Sequence, residues 1–269
     1  MGLQKVEATK VTWYLKYITE KDPEKWVRLA DPTSLKRMVQ LVEPASTDMV
    51  CDTGCGKGNA SIAIAEHVRK VIAIDVQAGQ AEAIRGSGCA NIEFIPGDAL
   101  EVLKQQPDEQ FNVLICRAAL HHFSNKSEFM SEAYRVLETN GRLYLMDPVM
   151  SPELLLFWNV ISRIAETDYQ DYCSPEEMMQ LILSAGFCVH YRGEFGFPRN
   201  MRQWIDSKIC AVNSGGEEID NDLVSHLRKT IWHSVMNLPP ALQNELHLNR
   251  NSKEGWFAYN CFEILAVKE

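Results

Sequence analysis

The chain has 269 residues, with 36 acidic and 27 basic side chains and a formal net charge of −9 at pH 7. Nucleic-acid binding needs a local excess of Lys and Arg, and no run of four or more basic residues occurs, so we expect no nucleic-acid partner. With 46% hydrophobic and 23% charged residues, the composition is that of a soluble globular protein and excludes disordered and fibrous classes. The expected ligand is a small neutral or cationic molecule.

The cellular location is predicted from what the sequence lacks. The first ten residues, MGLQKVEATK, have no apolar segment of signal-peptide length. The longest apolar run, at 154–161, is far shorter than the roughly 20 residues that span a bilayer. Eight cysteines are scattered without a CxxC pair, which favours reduced thiols over disulfides or a zinc site. We therefore expect a cytoplasmic protein with no membrane span.

The predicted elements begin with two helical segments, at 11–21 and 31–42. Between 48 and 147, short apolar runs alternate with helical patterns, which predicts a parallel sheet with right-handed crossovers. The helix after the run FNVLICR is expected to stop at Gly141 with a left-handed residue. Beyond 147 the sequence predicts a helix at 154–165, a capped helix from Ser174, a strand near 187–192, further helices within 199–250 and a final strand at 256–268.

A glycine-rich turn, DTGCGKGN at 52–59, lies between the first predicted strand and the following helix. Glycines there let backbone N–H groups approach a ligand at a helix N-terminus, at the carboxyl ends of the strands. The next strand ends at Asp75, 17 positions beyond Gly58, where a carboxylate can accept hydrogen bonds from a ribose diol. A nucleotide-like ligand is expected, although these features alone do not separate NAD from other adenosine cofactors.

The spacing of the turn argues against a dinucleotide. In the pattern G-x-G-x-x-G the third glycine would stand at 59, but here it arrives one position early and Asn59 takes that place. The carboxylate of Asp52 would repel a diphosphate, whereas it suits an ammonium group. S-adenosylmethionine carries both an ammonium and a sulfonium. Its adenine could be held by the segment 96–99, with the carboxylate of Asp98 accepting from the exocyclic amine.

Five motifs together carry a family resemblance: D-x-G-C-G-x-G at 52–58, AID at 73–75, GDA at 97–99, RAALHHF at 117–123, and EAYRVL-x-x-x-GRLYLMD at 132–147. Over roughly 35–195 the chain resembles class I S-adenosylmethionine-dependent methyltransferases. Within them it is similar to the small-molecule group that includes ubiquinone and menaquinone biosynthesis enzymes and bacterial methyltransferases with an R-x-A-x-H-H-F signature. The resemblance implies an α/β fold: a Rossmann-like, seven-stranded, mostly parallel sheet with helices on both faces, an antiparallel last strand and a helical lid.

The resemblance also implies a site for S-adenosyl-L-methionine and its product S-adenosyl-L-homocysteine. The site is made of residues at the ends of the first four strands: Asp52, Gly54 and Gly56 at the methionine half, Asp75 and Val76 at the ribose and adenine, Asp98 and Ala99 at the adenine edge, and Arg117 under the sulfonium. No metal is expected, since catechol-type enzymes place an acidic ligand after the fourth strand, where this chain has Cys116 and Arg117.

The adjacent residues His121 and His122 are the candidate catalytic residues. A neutral imidazole near pH 7 could accept a proton from a hydroxyl or a carbon acid. The structural alternative is that one of them begins the helix after the fourth strand and packs or caps there.

We divide the chain into an N-terminal helical lid segment at 1–30, a cofactor-binding core at 31–196, a helical cap insertion at 197–255 and a final core strand at 256–269. Substrate choice is assigned to 11–30, 150–173 and 197–255, which hold most of the tryptophans and are expected to cover a mostly apolar pocket. The alternative is that these helices only extend the core or form a homodimer interface.

Three functions fit these observations. The first is transfer of a methyl group from S-adenosylmethionine to a small, partly hydrophobic metabolite by in-line displacement. The second is a protein of the same fold that binds this cofactor but catalyses another reaction, such as a cyclisation. The third is a nicotinamide-dependent oxidoreductase.

Overall fold

A computed structural model describes residues 32–165, 171–202, 204, 205, 221–249 and 255–269. Helices alternate with strands along the chain, and two short 3-10 turns at Ala78–Gln80 and Leu120–His122 interrupt the alternation. The elements are, in chain order, α1 (Pro32–Val42), β1 (Met49–Thr53), α2 (Asn59–Ala65), β2 (Lys70–Asp75), α3 (Ala81–Gly86), β3 (Ile92–Pro96), α4 (Ala99–Lys104), β4 (Phe111–Arg117), α5 (Lys126–Val136), β5 (Leu137–Val149), α6 (Pro152–Ala165), α7 (Pro175–Ser184), β6 (Cys188–Asn200), α8 (Asn221–Met236), α9 (Pro240–Glu245) and β7 (Trp256–Val267).

The seven strands form one sheet in the order β3-β2-β1-β4-β5-β7-β6. Strands β1 to β5 run parallel to one another. At the far end of β7, the N–H of Lys268 donates to the carbonyl of Gly141 (3.0 Å) and the N–H of Asn140 to the carbonyl of Lys268 (2.7 Å). The end of β7 therefore meets the beginning of β5, so β7 runs antiparallel to it. The predicted fold class, with its antiparallel last strand, is confirmed.

The central strands are buried and mostly apolar because helices cover both faces of a parallel sheet. In β1 and β4, Val50, Cys51, Val113, Leu114 and Ile115 are all fully buried. The strand order reverses at β1, which pairs with β2 on one side and with β4 on the other. In an open α/β sheet, such a switch point leaves a crevice at the carboxyl ends of the strands, where ligands bind. The glycine-rich turn follows β1 at that point.

The prediction that Gly141 adopts a left-handed conformation is wrong. The left-handed residue is Asn140, with φ 63°, and Gly141 lies inside β5. Asn tolerates this region better than most residues, and the hydrogen bonds to Lys268 fix the bend. Glycine is needed at 141 for another reason: a Cβ there would lie 2.6 Å from the carbonyl oxygen of Glu138.

The described residues fall into two compact units. One contains the described residues within 32–147, 176–193 and 262–269, and the other contains those within 148–175 and 194–261. The second unit has its own core, in which Trp158 stacks on Trp204 with ring centroids 4.9 Å apart, and Phe257 meets both rings edge-on. The helix predicted at 11–21 lies outside the described residues. Within the described part of the chain, no helix is long and apolar enough to cross a membrane.

Candidate functional site

The glycine-rich turn between β1 and α2 contains three left-handed residues: Gly54 (φ 67°), Gly56 (φ 51°) and Gly58 (φ 76°). A Cβ on Gly54 would come within 2.5 Å of the Cβ of Ala119, and one on Gly58 within 2.5 Å of a side-chain carbon of Ile84. Packing therefore requires glycine at these two positions. A Cβ on Gly56 would meet nothing within 4 Å, so this residue borders open space where a ligand can approach the backbone.

The carboxylate of Asp75, at the end of β2, is held by two backbone donors. Its Oδ2 accepts from the N–H of Gly56 (2.8 Å) and its Oδ1 from the N–H of Gln77 (2.9 Å). The turn thus fixes the carboxylate beside the open space at Gly56. The next residue, Val76, is 62% exposed, which is unusual for a large aliphatic side chain. A half-exposed carboxylate next to an exposed apolar side chain is suited to a ligand that has a diol and a flat ring.

The turn after β3 lies next to Asp75, because Asp75 pairs with Pro96 and its carbonyl accepts from the N–H of Gly97 (2.9 Å). Asp98 caps α4: its Oδ1 accepts from the N–H of Glu101 (3.1 Å). Its side chain is otherwise exposed, whereas Ala99 is buried. The structure therefore brings Gly56, Asp75 and the 97–99 turn together at one edge of the sheet, as the sequence predicted.

Asp52 is buried, with 1% of its surface exposed, and its carboxylate faces the first turn of α2. Oδ2 accepts from both the N–H (3.0 Å) and the hydroxyl (2.5 Å) of Ser61. Burial raises the pKa of Asp52 to about 6, while the Ser61 hydrogen bonds and the charge of Arg117 oppose that rise and Asp75 adds to it. The site therefore contains a carboxyl group that ionises less readily than an ordinary aspartate, and a nearby cation would favour its charged form.

Arg117, the last residue of β4, is 8% exposed. Its Nη2 donates to the hydroxyl of Ser34 on α1 (2.9 Å). The guanidinium is thus fixed between the sheet and α1, at a distance from which its charge still acts on Asp52. The predicted residues Asp52 and Arg117 are brought into the same electrostatic environment.

The two histidines follow β4 on the 3-10 turn and differ in their surroundings. His121 is 6% exposed and His122 is exposed, and their ring centroids are 4.1 Å apart. The Nδ1 of His121 lies 2.9 and 3.2 Å from the two carboxylate oxygens of Asp147, and the backbone N–H of His121 donates to Oδ2 of the same residue (3.0 Å). Asp147 lies on β5 and is 1% exposed. The structure forms a buried histidine–carboxylate pair at the carboxyl ends of β4 and β5.

Sequence reasoning missed three residues of this site: Ser34, Ser61 and Asp147. Asp147 carried a usable signal. Arg117 pairs with Met146 in the parallel register of β4 and β5, so the residues that follow the two strands must lie side by side. Ser61 carried a weaker one, as a hydroxyl in the first turn of the helix that follows a buried carboxylate. Nothing local to Ser34 indicates its contact with Arg117, 83 positions away.

The cysteines near the site are buried or partly buried thiols. Burial raises the pKa of Cys51, Cys55 and Cys116 well above the ordinary range, with nearby carboxylates adding to the effect. Nucleophilic attack requires a thiolate, so these three side chains are poor nucleophiles. Seven of the eight cysteines lie in the described part of the chain, and no disulfide joins them there.

In the second unit, an apolar cavity of about 460 Å³ lies between α6 and α8. Its wall is mostly aliphatic and aromatic, and three of its residues are polar. The lining residues are Glu153, Leu156, Phe157, Val160, Ile161, Leu227, Thr230, Ile231 and Ser234. Of the predicted lid tryptophans, Trp204 is 8% exposed and belongs to the unit's core, while Trp232 is partly buried and has Arg202 over its ring. Trp13 lies outside the described residues.

The comparisons with known proteins agree with this architecture. A family model described as a methyltransferase domain matches residues 45–186, more than half of the chain. The chain belongs to the methyltransferase domain family. This confirms the resemblance inferred from the motifs, and the matched residues include β1 to β5 and every site residue predicted from the sequence.

Individual relatives support the same family. The chain is 25% identical to the uncharacterized methyltransferase YcgJ of Bacillus subtilis over 206 residues, which cover 74% of this chain and 78% of that protein. The crystal structure of the YcgJ protein from Bacillus subtilis has a TM-score of 0.74 at 23% identity, over 88% of this chain and 98% of that chain. The crystal structure of the cyclase SpnF has a TM-score of 0.58 at 16% identity, over 88% of this chain and 80% of that chain. The two structures show likeness of fold.

Proposed function

We propose that this methyltransferase binds S-adenosyl-L-methionine at the glycine-rich turn and transfers its methyl group to a small, partly hydrophobic metabolite. The observation that carries the proposal is the arrangement around Gly56. A left-handed glycine borders open space, its N–H fixes the carboxylate of Asp75, and the turn with Asp98 lies alongside. Such a cradle suits a nucleoside better than a diphosphate, because Asp52 adds a second carboxylate on the same side.

The residues present suit several groups of the cofactor. Asp75 would accept from the ribose diol, Val76 would cover one face of the adenine, and Asp98 and Ala99 would contact the adenine edge. Gly54, Gly56 and Asp52 would surround the methionine half, where the ammonium group would add a positive charge beside the buried carboxylate. Arg117 would lie near the reacting end. When bound, the cofactor supplies an electrophilic methyl carbon with a neutral thioether as its leaving group.

This chain contributes binding and alignment. Holding the acceptor in line with the methyl carbon converts a bimolecular reaction into an effectively unimolecular one, which accounts for much of the rate in reactions of this type. Helices α6 and α8, in the regions that the sequence assigned to substrate choice, line an open apolar cavity with few polar groups. That composition supports an acceptor with hydrophobic character, and the net charge of −9 supports one that is not a polyanion. We also propose that the enzyme belongs to the transferase class and is cytoplasmic.

Isothermal titration tests cofactor choice. S-adenosylhomocysteine should bind at one site per chain, and NADH should not bind. Binding of NADH in place of S-adenosylhomocysteine would support the alternative that the chain is a nicotinamide-dependent oxidoreductase.

A second candidate function keeps the cofactor site but replaces methyl transfer with another reaction, such as a cyclisation. Its support is the fold shared with SpnF. The two functions differ in the fate of the methyl group. Incubation with methyl-labelled cofactor and a metabolite extract should place label in an acceptor if the first proposal is correct, whereas the second predicts unchanged cofactor.

A further inference from the structure

The pair formed by His121 and Asp147 has the geometry of a held base. Two bonds connect the same residues: the backbone N–H of His121 donates to Oδ2 of Asp147 at 3.0 Å, and the ring Nδ1 lies 2.9 Å from Oδ1. Both side chains are more than nine-tenths buried. The backbone bond fixes the turn and the ring bond fixes the imidazole, so the ring has one orientation relative to the sheet.

The chemistry of the pair determines which ring nitrogen carries hydrogen. An ionised carboxylate only accepts hydrogen bonds, so Nδ1 must be the donor. In a neutral imidazole the other nitrogen, Nε2, then has the lone pair. A carboxylate in this position also stabilises the imidazolium that forms when Nε2 takes a proton. Among the described residues, the groups that face His121 include Asp147 from β5 and the neighbouring His122 on its own turn.

The pair lies beside the glycine-rich turn. Ala119, two residues before His121, packs against Gly54 so closely that a Cβ on the glycine would lie 2.5 Å from its own Cβ, and the ring of Phe123 lies 3.8 Å from the same point. Ala118 is held with φ 55°, and its N–H donates to the carbonyl of Met146, the neighbour of Asp147. A left-handed alanine is a costly conformation that persists where the surroundings enforce it. The turn is therefore fixed both to the candidate cofactor site and to β5.

We propose that Asp147 is a positioning residue that holds His121 as the proton acceptor of the reaction, and that the acceptor nucleophile is a hydroxyl group. This inference rests on the proposed function. A neutral amine can attack through its lone pair before it loses a proton, and a thiol is partly ionised near neutral pH. A hydroxyl has no reactive lone pair of that kind and is not ionised near neutral pH, so among these three nucleophiles it gains most from a base that removes its proton as it attacks.

The step balances as follows. The hydroxyl oxygen forms a bond to the methyl carbon while the carbon–sulfur bond breaks and its electron pair stays on sulfur. The hydroxyl proton moves to Nε2 of His121, and the resulting imidazolium is stabilised by Asp147. The proton then leaves to solvent. No oxidant, reductant or metal takes part.

The tautomer of His121 is a test that does not depend on turnover. Long-range ¹⁵N–¹H spectra of the labelled protein saturated with S-adenosylhomocysteine should show hydrogen on Nδ1 and a lone pair on Nε2, with the signals assigned through their loss in His121→Gln. In Asp147→Asn, the amide oxygen can keep the backbone N–H while the amide NH₂ donates to Nδ1, so hydrogen should move to Nε2. Hydrogen on Nε2 in the native protein would overturn the proposal, and that result stands even if Asp147→Asn fails to fold.

The activity test uses ¹³C-methyl-labelled S-adenosylmethionine and a metabolite extract, because O-, N- and S-methyl products are resolved by their ¹³C shifts. We expect O-methyl products. In Asp147→Asn the rate should fall about 10²- to 10⁴-fold, while the affinity for S-adenosylhomocysteine should stay within about threefold of that of the native protein. The rising limb of the native pH–rate profile should be lost in His121→Gln. Asp108→Asn makes the same chemical change at an exposed carboxylate and should leave the rate unchanged.

The possible results separate the two proposals. N- or S-methyl products, or a pH limb that survives in His121→Gln and is lost in His122→Gln, would overturn the base assignment and leave methyl transfer intact. If S-adenosylhomocysteine binds but no label reaches any product, methyl transfer itself is wrong, and the base role falls with it.

Discussion

The buried carboxylate of Asp52 predicts a specific dependence of stability on pH. In the folded protein its pKa is raised from 3.8 to about 6, mainly by burial. Because one pKa unit corresponds to about 1.36 kcal/mol, ionising this carboxylate makes the folded state less stable by about 3 kcal/mol. The sign follows from the direction of the shift: the contribution to stability is fully present below pH 4 and is lost as the pH rises to about 6.

The substitution Asp52→Asn removes the charge while the amide oxygen can still accept from Ser61. Urea unfolding of the ligand-free native protein and the variant, at several pH values between 4 and 8, gives the difference between their free energies of unfolding. Titrating groups that do not interact with Asp52 are common to both proteins and cancel in that difference. We expect it to shift in favour of the variant by about 3 kcal/mol between pH 4 and pH 7, and to be constant above pH 7.

A matched variant checks the cause. Ser61→Ala removes the hydroxyl that donates to Asp52 at 2.5 Å and that opposes the rise of its pKa. The pH-dependent loss of stability should then extend to higher pH than in the native protein. A difference between native protein and Asp52→Asn that does not vary with pH would refute the reasoning, since it would mean that Asp52 is not desolvated in solution.

Three further predictions concern the candidate site and the second unit. Asp75→Ala should weaken S-adenosylhomocysteine binding by about 1.5–3 kcal/mol in titration, because a charge-assisted acceptor is lost and the N–H of Gly56 loses its partner; unchanged affinity would contradict the ribose assignment. Gly56→Val should reduce that affinity further, since a side chain would occupy the open space and strain a residue at φ 51°. Gly58→Ala should instead mainly lower stability, because its new side chain would contact Ile84. A folded Gly56→Val variant with normal affinity would refute the role given to Gly56. Trp204→Ala should lower the free energy of unfolding by about 3–5 kcal/mol because Trp204 stacks on Trp158, while Trp232→Ala should alter acceptor turnover and leave product affinity within about threefold; normal methylation by a folded Trp232→Ala would remove that residue from the lid.

The sheet could be predicted from the sequence because its signals are local. Each strand from β1 to β5 is a short apolar run, each crossover has a helical pattern, and strand order follows from the family resemblance. The residues of the candidate site were equally accessible, since Gly56, Asp75 and Asp98 all stand within three residues of the end of a strand. Residues that follow parallel strands in the sequence meet at the same edge of the sheet in the fold.

The contacts that join distant segments could not be read in this way. The pairing of His121 with Asp147 depends on the register of β4 and β5, and the contact of Arg117 with Ser34 depends on how α1 packs. The bend at Asn140 was misassigned to Gly141 because the controlling hydrogen bonds come from Lys268, at the other end of the chain. The tryptophans gave an ambiguous signal, since a core residue such as Trp204 and a pocket residue have the same composition pattern.

Transfer of a labelled methyl group tests the central claim most directly. The native protein is incubated with methyl-labelled S-adenosylmethionine and a fractionated metabolite extract, and label is counted in each fraction against Asp75→Ala as the control. We predict that label enters a small, partly hydrophobic compound in proportion to native enzyme and is strongly reduced with the variant when the cofactor is limiting. Label that stays entirely in the cofactor across all fractions, despite binding of S-adenosylhomocysteine, would contradict the claim that this chain is a small-molecule methyltransferase.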